Sequence, residues 1–281
     1  MFSIESTGQA CGAFVTGIDL RQQEDPDTIA DLRAAWLEHH VLIFPDQELD
    51  DAQLEAFAES IGPIGDDPFI EAMEGKKRIA AIQRRADETG RIFADVWHSD
   101  WSFQETPPAG TCLLSITVPP VGGDTLFSNQ HKALDDMPAD MRQRFEGRTA
   151  LHSARSAYGD DGFYSDEGNK GSMAITTSKA ARDIRRHPLV RRHPESGRAG
   201  LFGGAYVIGF EGVEEAESQE LVKELYRWQS RPEFTYTHQW QPNMLVLWDN
   251  RSVLHKATGG YEGHDRLLHR LTIADDRSFH G

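Results

Sequence analysis

The stretch LWDNRSVLHKATGGYEGHDRLLHRLTIA (residues 247–274) carries the pattern on which the fold turns. It opens on the end of an apolar run, MLVLWD (244–249), turns at Asp249-Asn250, and closes on RLLHRLTIA (266–274). Side chains two apart on a strand share a face. Positions 266, 268, 270, 272 and 274 therefore project together, and Arg266 and Arg270 point the same way. FTYTHQWQ (234–241) supplies a further strand just upstream. Strands at this spacing predict an antiparallel sandwich or barrel with helices packed outside. Two guanidinium groups inside such a barrel are costly unless anions meet them. The anions are either two of the chain's own carboxylates or bound acids.

Strand signals continue toward the N-terminus. TCLLSITVPP (111–120) reads as a strand stopped by prolines, GGDTLFS (122–128) as a glycine turn entering a strand, and RTALHSA (148–154) as another. A helix at about 131–146 interrupts them, and another is predicted at about 214–229, with Leu221, Leu225 and Trp228 on one side. The first forty residues read as a strand and then a helix: Asp25 caps, Pro26 takes the first helical position, and Ile29, Leu32 and Trp36 make the stripe. HHVLIFP (39–45) suits a buried strand. A second helix follows at about 50–61, with Asp50 and Gln53 at capping-box spacing and Gly62 as its stop. His39 and His40 end the first helix, where a cationic side chain is favourable. Residues 155–186 are polar and show no clear element, the mark of a functional lid or a disordered loop. RRHPLVRRH (185–193) is a basic run that suits an edge strand protected by charge. Without a repeat or linker, residues 1–281 read as one domain, large enough to bury a stable core.

Of 281 residues, 45 are Asp or Glu and 29 are Lys or Arg, a formal net charge of −16. That balance argues against nucleic acid or an anionic membrane as the main partner. It leaves room for a small anionic ligand held by a local arginine. No apolar run approaches a membrane span of about 20 residues, and no secretory signal pattern opens the chain. Two cysteines exclude a disulfide framework and an all-cysteine zinc module, so a reducing cytoplasm is the expected setting. The 12 histidines are the unusual count.

Two of them sit where chemistry is expected. In DVWHSDWSF (95–103), His98 and Asp100 are two apart. An extended backbone turns both toward one side, where an imidazole and a carboxylate grip one metal ion. Taken alone the pair reads more simply as a buried histidine beside a surface carboxylate, since three-residue matches are common. His255 lies beyond the Asp-Asn turn, eleven residues before Arg266.

His98, Asp100 and His255, followed by Arg266 and Arg270, resemble the Fe(II)/2-oxoglutarate dioxygenases of the taurine dioxygenase and chlorophenoxyacetate dioxygenase family. The resemblance spans most of the chain. It runs through GAFVTGIDLR (12–21), WHSDWSF, GGDTLF (122–127), HPLVRRHPESGRAGLF (187–202) and QPNMLVLWDNRSVLH (241–255), in the family's order.

The resemblance implies a double-stranded β-helix, a cupin-like jelly roll, mainly β, with helices on one outer side and a lid at about 155–186. It implies that His98, Asp100 and His255 hold Fe(II), and that 2-oxoglutarate and O2 are co-substrates, giving succinate and CO2. Two imidazoles and one carboxylate on one face leave positions open for both. A carboxylate at 100 favours oxygenation over halogenation. Arg266 and Thr125 match the groups that hold the far carboxylate of 2-oxoglutarate, and Arg270 matches the anchor for the acidic head of the substrate. Several departures point away from taurine. GDDPFIEAMEG (65–75) lacks the family's histidine, Ala94 and Asp95 stand where taurine enzymes place an asparagine, and LFGGAY (201–206) carries Gly203 and Gly204. IQRRADETGR (82–91) and Trp101 are more like the aryloxyalkanoate branch. Phe69, Trp101 and Tyr206 line an apolar pocket in this reading, or simply pack in the core. The expected activity is hydroxylation of a small organic acid, a carboxylate such as an aryloxyalkanoate, by a cytoplasmic homo-oligomer (dimer or tetramer). The rivals are a taurine, alkylsulfonate or sulfate ester dioxygenase, a small-acid-binding barrel that acts as a sensor, and a zinc hydrolase.

Overall fold

The structure is a computed structural model that describes residues 2–275. Strands β1 (Ser3–Ser6) and β2 (Ala13–Thr16) lead into helix α1 (Pro26–His39), whose first amides are capped by the Asp25 carboxylate. Strand β3 (Val41–Phe44) and helix α2 (Asp51–Ile61) follow, and Asp50 and Gln53 complete the expected capping box. Gly62 ends α2 in an extended conformation that any residue adopts. Glycine fits there because a Cβ would meet the Ile273 side chain at 2.9 Å.

Next come β4 (Ala80–Arg84), β5 (Gly110–Thr117) and β6 (Thr125–Asn129). The helix expected at 131–146 is two helices, α3 (Gln130–Asp135) and α4 (Ala139–Phe145). Pro138 stands at the start of α4; it lacks the amide that a continuous helix needs there and disfavours helical backbone at the residue before it. Strand β7 (Thr149–His152) is followed by a single turn, α5 (Arg155–Tyr158), and by 3-10 turns at Phe163–Ser165, Glu167–Asn169 and Lys179–Arg182. The stretch read as featureless is thus a chain of short turns. The remaining elements are β8 (Arg185–Pro188), β9 (Val190–Arg192), β10 (Ala199–Leu201), β11 (Val207–Phe210), α6 (Glu215–Gln229), β12 (Thr235–His238), β13 (Leu245–Asp249), β14 (Val253–Ala257) and β15 (Arg266–Ile273). The basic run supplies β8, at the end of a three-stranded sheet in the order β11-β7-β8, as an edge strand should be.

The main sheet runs β1-β2-β3-β13-β5-β15-β4, and a three-stranded sheet runs β12-β6-β14. Alternation sorts the core between them. Leu42, Phe44, Leu245, Leu247, Leu271 and Ile273 join Leu32, Trp36, Leu54 and Phe57 of α1 and α2 in one apolar cluster. Their neighbours Val41, Ile43, Val246, Trp248 and Leu268 pack the other way, with Phe127, Val253 and Tyr236 of the smaller sheet. Strand β15 obeys the same rule. Arg266, Leu268, Arg270 and Thr272 face the space between the sheets, while His269 turns outward to Asp51 of α2, its Nδ1 at 2.7 Å. The helices do not all lie on one outer side. α3, α4 and α6 form a second group over β7, β10 and β11, around Phe145, Leu201, Phe210 and Leu225.

His40 departs from its expected role. It closes α1 in the left-handed region (φ 67°), its amide donates to Trp36 O at 2.7 Å, and its ring is buried. Burial, reinforced by neighbouring His131, pushes its imidazole down to about 3. It is a neutral core residue.

Candidate active site

Two backbone hydrogen bonds join the loop before β5 to strand β14. His98 N donates to His255 O (3.0 Å) and His255 N to His98 O (2.8 Å), bringing the imidazole rings to 4.2 Å. His98 Nδ1 donates to Val96 O at 2.8 Å, which leaves the Nε2 lone pair free to ligate. Asp100 Oδ1 lies 3.7 Å from His98 Nε2 and 3.6 Å from His255 Nε2. The three ligand atoms fall within 4.8 Å of one another, and all three residues are buried. Burial, with His98 beside it, pushes His255 down to about 3 and keeps it neutral. Burial alone would raise the Asp100 carboxyl, but Arg270, His255 and His98 together hold it well below the usual carboxylate range. Two imidazoles and one carboxylate suit Fe(II) with positions left open for other ligands.

Asp100 is tightly held. Thr111 of β5 donates to Oδ2 at 2.7 Å and accepts from Asn250 Nδ2 at 2.9 Å. Asn250 Oδ1 in turn accepts from Trp248 Nε1 at 2.9 Å. Arg270 Nη1 lies 3.2 Å from Asp100 Oδ1, and Nη2 lies 3.1 Å from Oδ2. Arg270 Nε donates to Asp67 Oδ1 at 3.1 Å. The same Asp67 oxygen accepts from Trp101 Nε1 at 2.6 Å and from Thr272 Oγ1 at 2.8 Å. Trp101 has a left-handed backbone (φ 47°), a conformation costing about 1 kcal/mol or more in a bulky residue. Its buried ring and its bond to Asp67 hold it there.

Arg266 lies further along the same face of β15. Its Nη2 donates to Gly123 O at 3.2 Å, while its Nε is buried with no protein partner. Gly122 and Gly123 turn with positive φ (68° and 72°), and a Cβ on Gly122 would meet Gly260 O at 2.5 Å, so this turn requires glycine. Thr125 opens β6 beside it and accepts from Trp240 Nε1 at 3.0 Å. An unspent guanidinium donor beside a buried hydroxyl is a ready seat for a carboxylate. The donor set thus fits both the metal and an anionic co-substrate.

A narrow pocket of about 60 Å³ is lined by His98, His255, Thr125, Arg266 and Arg270 together. A larger cavity of about 380 Å³ shares His98 and is walled by Phe93, Tyr158, Phe163, Tyr164 and Tyr206. Of the three aromatics expected to line a pocket, Tyr206 does so, edge-on to His98 at 6.0 Å. Phe69 and Trp101 pack behind it. Phe69 stacks on Tyr158 at 4.8 Å, and both belong to the apolar cluster with Met173 and Ile175. Sequence reasoning missed Asp67, Thr111, Asn250, Tyr158 and Tyr164. Asn250 stands inside the block 241–255, but its reach to Thr111 spans 139 residues and that of Arg270 to Asp67 spans 203.

This is the fold and site of a mononuclear iron oxygenase built on a jelly roll. Residues 3–272 match the family described as taurine catabolism dioxygenase TauD, TfdA. The chain is 33% identical over 297 residues to the (S)-phenoxypropionate/alpha-ketoglutarate-dioxygenase of Sphingobium herbicidovorans, covering 98% of this chain and 96% of that one. It is 32% identical over 268 residues to the alkylsulfatase of Acinetobacter baylyi, covering 94% and 82%. The crystal structure of AAD-2 in complex with Mn(II) and N-oxalylglycine shares the fold, with a TM-score of 0.85 at 24% identity over the full length of both chains. The chain belongs to the TauD/TfdA family. It is an Fe(II)- and 2-oxoglutarate-dependent dioxygenase with a cupin-like jelly-roll core, so the sensor and zinc-hydrolase readings fall away.

Proposed function

We propose that this enzyme hydroxylates a small organic acid, a carboxylate of the aryloxyalkanoate kind. The observation that carries the substrate class is the meeting at His98 of an aromatic-walled cavity with the pocket of Arg266 and Arg270. A cavity of about 380 Å³ suits a compact ring with a short acid arm. The likeness to the phenoxypropionate dioxygenase supports the same class.

In this reading His98, Asp100 and His255 hold Fe(II). Bound iron supplies the activation of O2 coupled to the conversion of 2-oxoglutarate to succinate and CO2. Arg266 and Thr125 hold the far carboxylate of 2-oxoglutarate. Arg270 meets the acid head of the substrate and fixes which carbon faces the iron, which is catalysis by positioning. Tyr206 and Tyr158 contact the ring; Trp101 and Phe69 support them from behind. Residues 155–186 act as a lid that keeps water from the site, in a single domain spanning 1–281. Among the described residues no helix is long and apolar enough to cross a membrane, and both thiols are buried and unbridged. We place the enzyme in the cytoplasm as a homo-oligomer.

The likeness to the alkylsulfatase favours a second reading, a sulfate ester or sulfonate substrate, with taurine in the same class. Succinate release decides between them when 2-phenoxypropionate, 2,4-dichlorophenoxyacetate, hexyl sulfate and taurine are each supplied with iron, 2-oxoglutarate and O2, with His98→Ala as the blank. The aryloxyalkanoates are expected to drive turnover. Succinate from the sulfate or the sulfonate alone overturns the carboxylate reading.

A further inference from the structure

Thr125 carries one hydroxyl proton. Among the described residues its Oγ1 has one hydrogen-bond partner, the Trp240 indole at 3.0 Å. An indole N–H donates and never accepts. The direction of this bond is therefore fixed, with Thr125 Oγ1 as the acceptor. The proton on Thr125 takes no part in it and is left to donate elsewhere. Thr125 lines the same narrow pocket as Arg266, and Arg266 has a buried Nε with no protein partner. Two residues of one pocket thus each keep a donor unspent. An ionised carboxylate, which only accepts, is the group that can take both.

Trp240 stands behind this wall. It is 7% exposed and packs in the apolar cluster with Phe127, Tyr236 and Met244. The His238 ring stands at 89° to the indole with centroids 4.6 Å apart, and its Nδ1 is tied to the Tyr236 hydroxyl at 3.0 Å. The Arg266 guanidinium carbon lies 6.0 Å from the indole centroid and 5.9 Å from that of Tyr261. A ring packed against this many neighbours holds its N–H in one direction.

We propose that Trp240 is a positioning residue for the co-substrate: by occupying a lone pair of Thr125 Oγ1 it commits that hydroxyl to donating into the pocket of Arg266. This rests on the reading of Arg266 and Thr125 as the holders of the far carboxylate of 2-oxoglutarate. A hydroxyl that already accepts is also a stronger donor, because hydrogen bonds in a chain polarise one another. With the indole donor gone, a buried lone pair is left unpaired and the hydroxyl rotor is free to turn. Trp240 acts through Thr125 and not on the ligand.

The affinity for N-oxalylglycine, measured by titration calorimetry on the full chain loaded with Mn(II), reads the seat without turnover. Trp240→Phe keeps a ring beside Arg266 and removes the N–H. It is expected to weaken binding about fivefold, and Thr125→Val about tenfold or more. Adding Trp240→Phe to Thr125→Val is expected to change affinity by less than about twofold, since no hydroxyl is left to direct. Adding it to Thr125→Ser, which keeps the hydroxyl, is expected to bring the fivefold loss back. Trp240→Met, a gap-filling side chain without a donor, runs the same cycle as a check on packing. Thermal melting of each variant without ligand reads stability separately. Equal losses from Trp240→Phe in the wild type and in Thr125→Val overturn the proposal and leave Trp240 as packing for Arg266. Full affinity in Trp240→Phe overturns it as well. Full affinity in Thr125→Val overturns the reading of Thr125 as a holder of the co-substrate, and this inference with it.

Discussion

Arg270 brackets Asp100 with both of its terminal nitrogens, at 3.2 and 3.1 Å, across 170 residues of sequence. The residue proposed to hold the substrate is thereby also part of the cage around a proposed metal ligand. Arg270→Lys replaces a planar fork by a point charge that cannot serve two oxygens at once. Fe(II) affinity is expected to fall by about tenfold, together with a rise in KM for the acid substrate. An iron titration followed by equilibrium dialysis checks the first effect separately from the second. Unchanged iron binding would show that Thr111 and the histidines suffice to fix Asp100.

Thr111→Val tests the other side of that cage. Valine keeps the shape but drops the donor to Asp100 Oδ2 and the acceptor for Asn250 Nδ2. A loss of about 10- to 100-fold in metal affinity is expected, with a stability cost of about 1–3 kcal/mol from the buried groups left unpaired. Metal titration and thermal melting of the metal-free protein read the two effects apart.

Arg266→Gln removes the charge from the seat beside Thr125. The KM for 2-oxoglutarate is expected to rise by about a hundredfold, while affinity for the acid substrate stays within about twofold. Initial rates of succinate formation with each component varied in turn check this. A matching rise in both KM values would mean that the two arginines share one ligand.

The pH dependence of stability follows from buried neutral histidines. His40 and His238 are pushed down to about 3 and His187 to about 4, in each case chiefly by burial. In the unfolded chain these rings take up protons near pH 6.5. Stability from keeping them neutral is therefore complete above about pH 7 and is lost as pH falls through 6.5 toward 4. At pH 5 each costs about 2 kcal/mol, and three together approach the whole margin of a typical domain. Urea unfolding at pH 7.5 and pH 5 is expected to show a marked fall in midpoint. His238→Gln should reduce that fall; an unchanged difference would mean that other groups carry it.

Alternation made much of this legible in the sequence. It put Arg266 and Arg270 on the inner face of β15 and His269 on the outer, and it turned His98 and Asp100 the same way. Capping chemistry placed α1 and α2. The rest was hidden where meaning depends on a distant partner. Asp67 is one acid among many until Arg270 and Trp101 reach it. His40 looks like a helix-ending cation until burial makes it neutral. The single helix expected at 131–146 passes over Pro138, which stands at the start of α4 and separates it from α3.

Strand β15 is the last strand among the described residues, yet it lies inside the main sheet, between β5 and β4. During synthesis those two strands have a gap between them until β15 itself leaves the ribosome. The strand that fills the gap brings both arginines, and one of them braces Asp100. A nascent chain that stops short of β15 therefore carries His98, Asp100 and His255 but lacks the brace that Arg270 puts on Asp100. A stop codon a few residues before β15 would remove far more than its length suggests, since it would leave two open strand edges where there should be none.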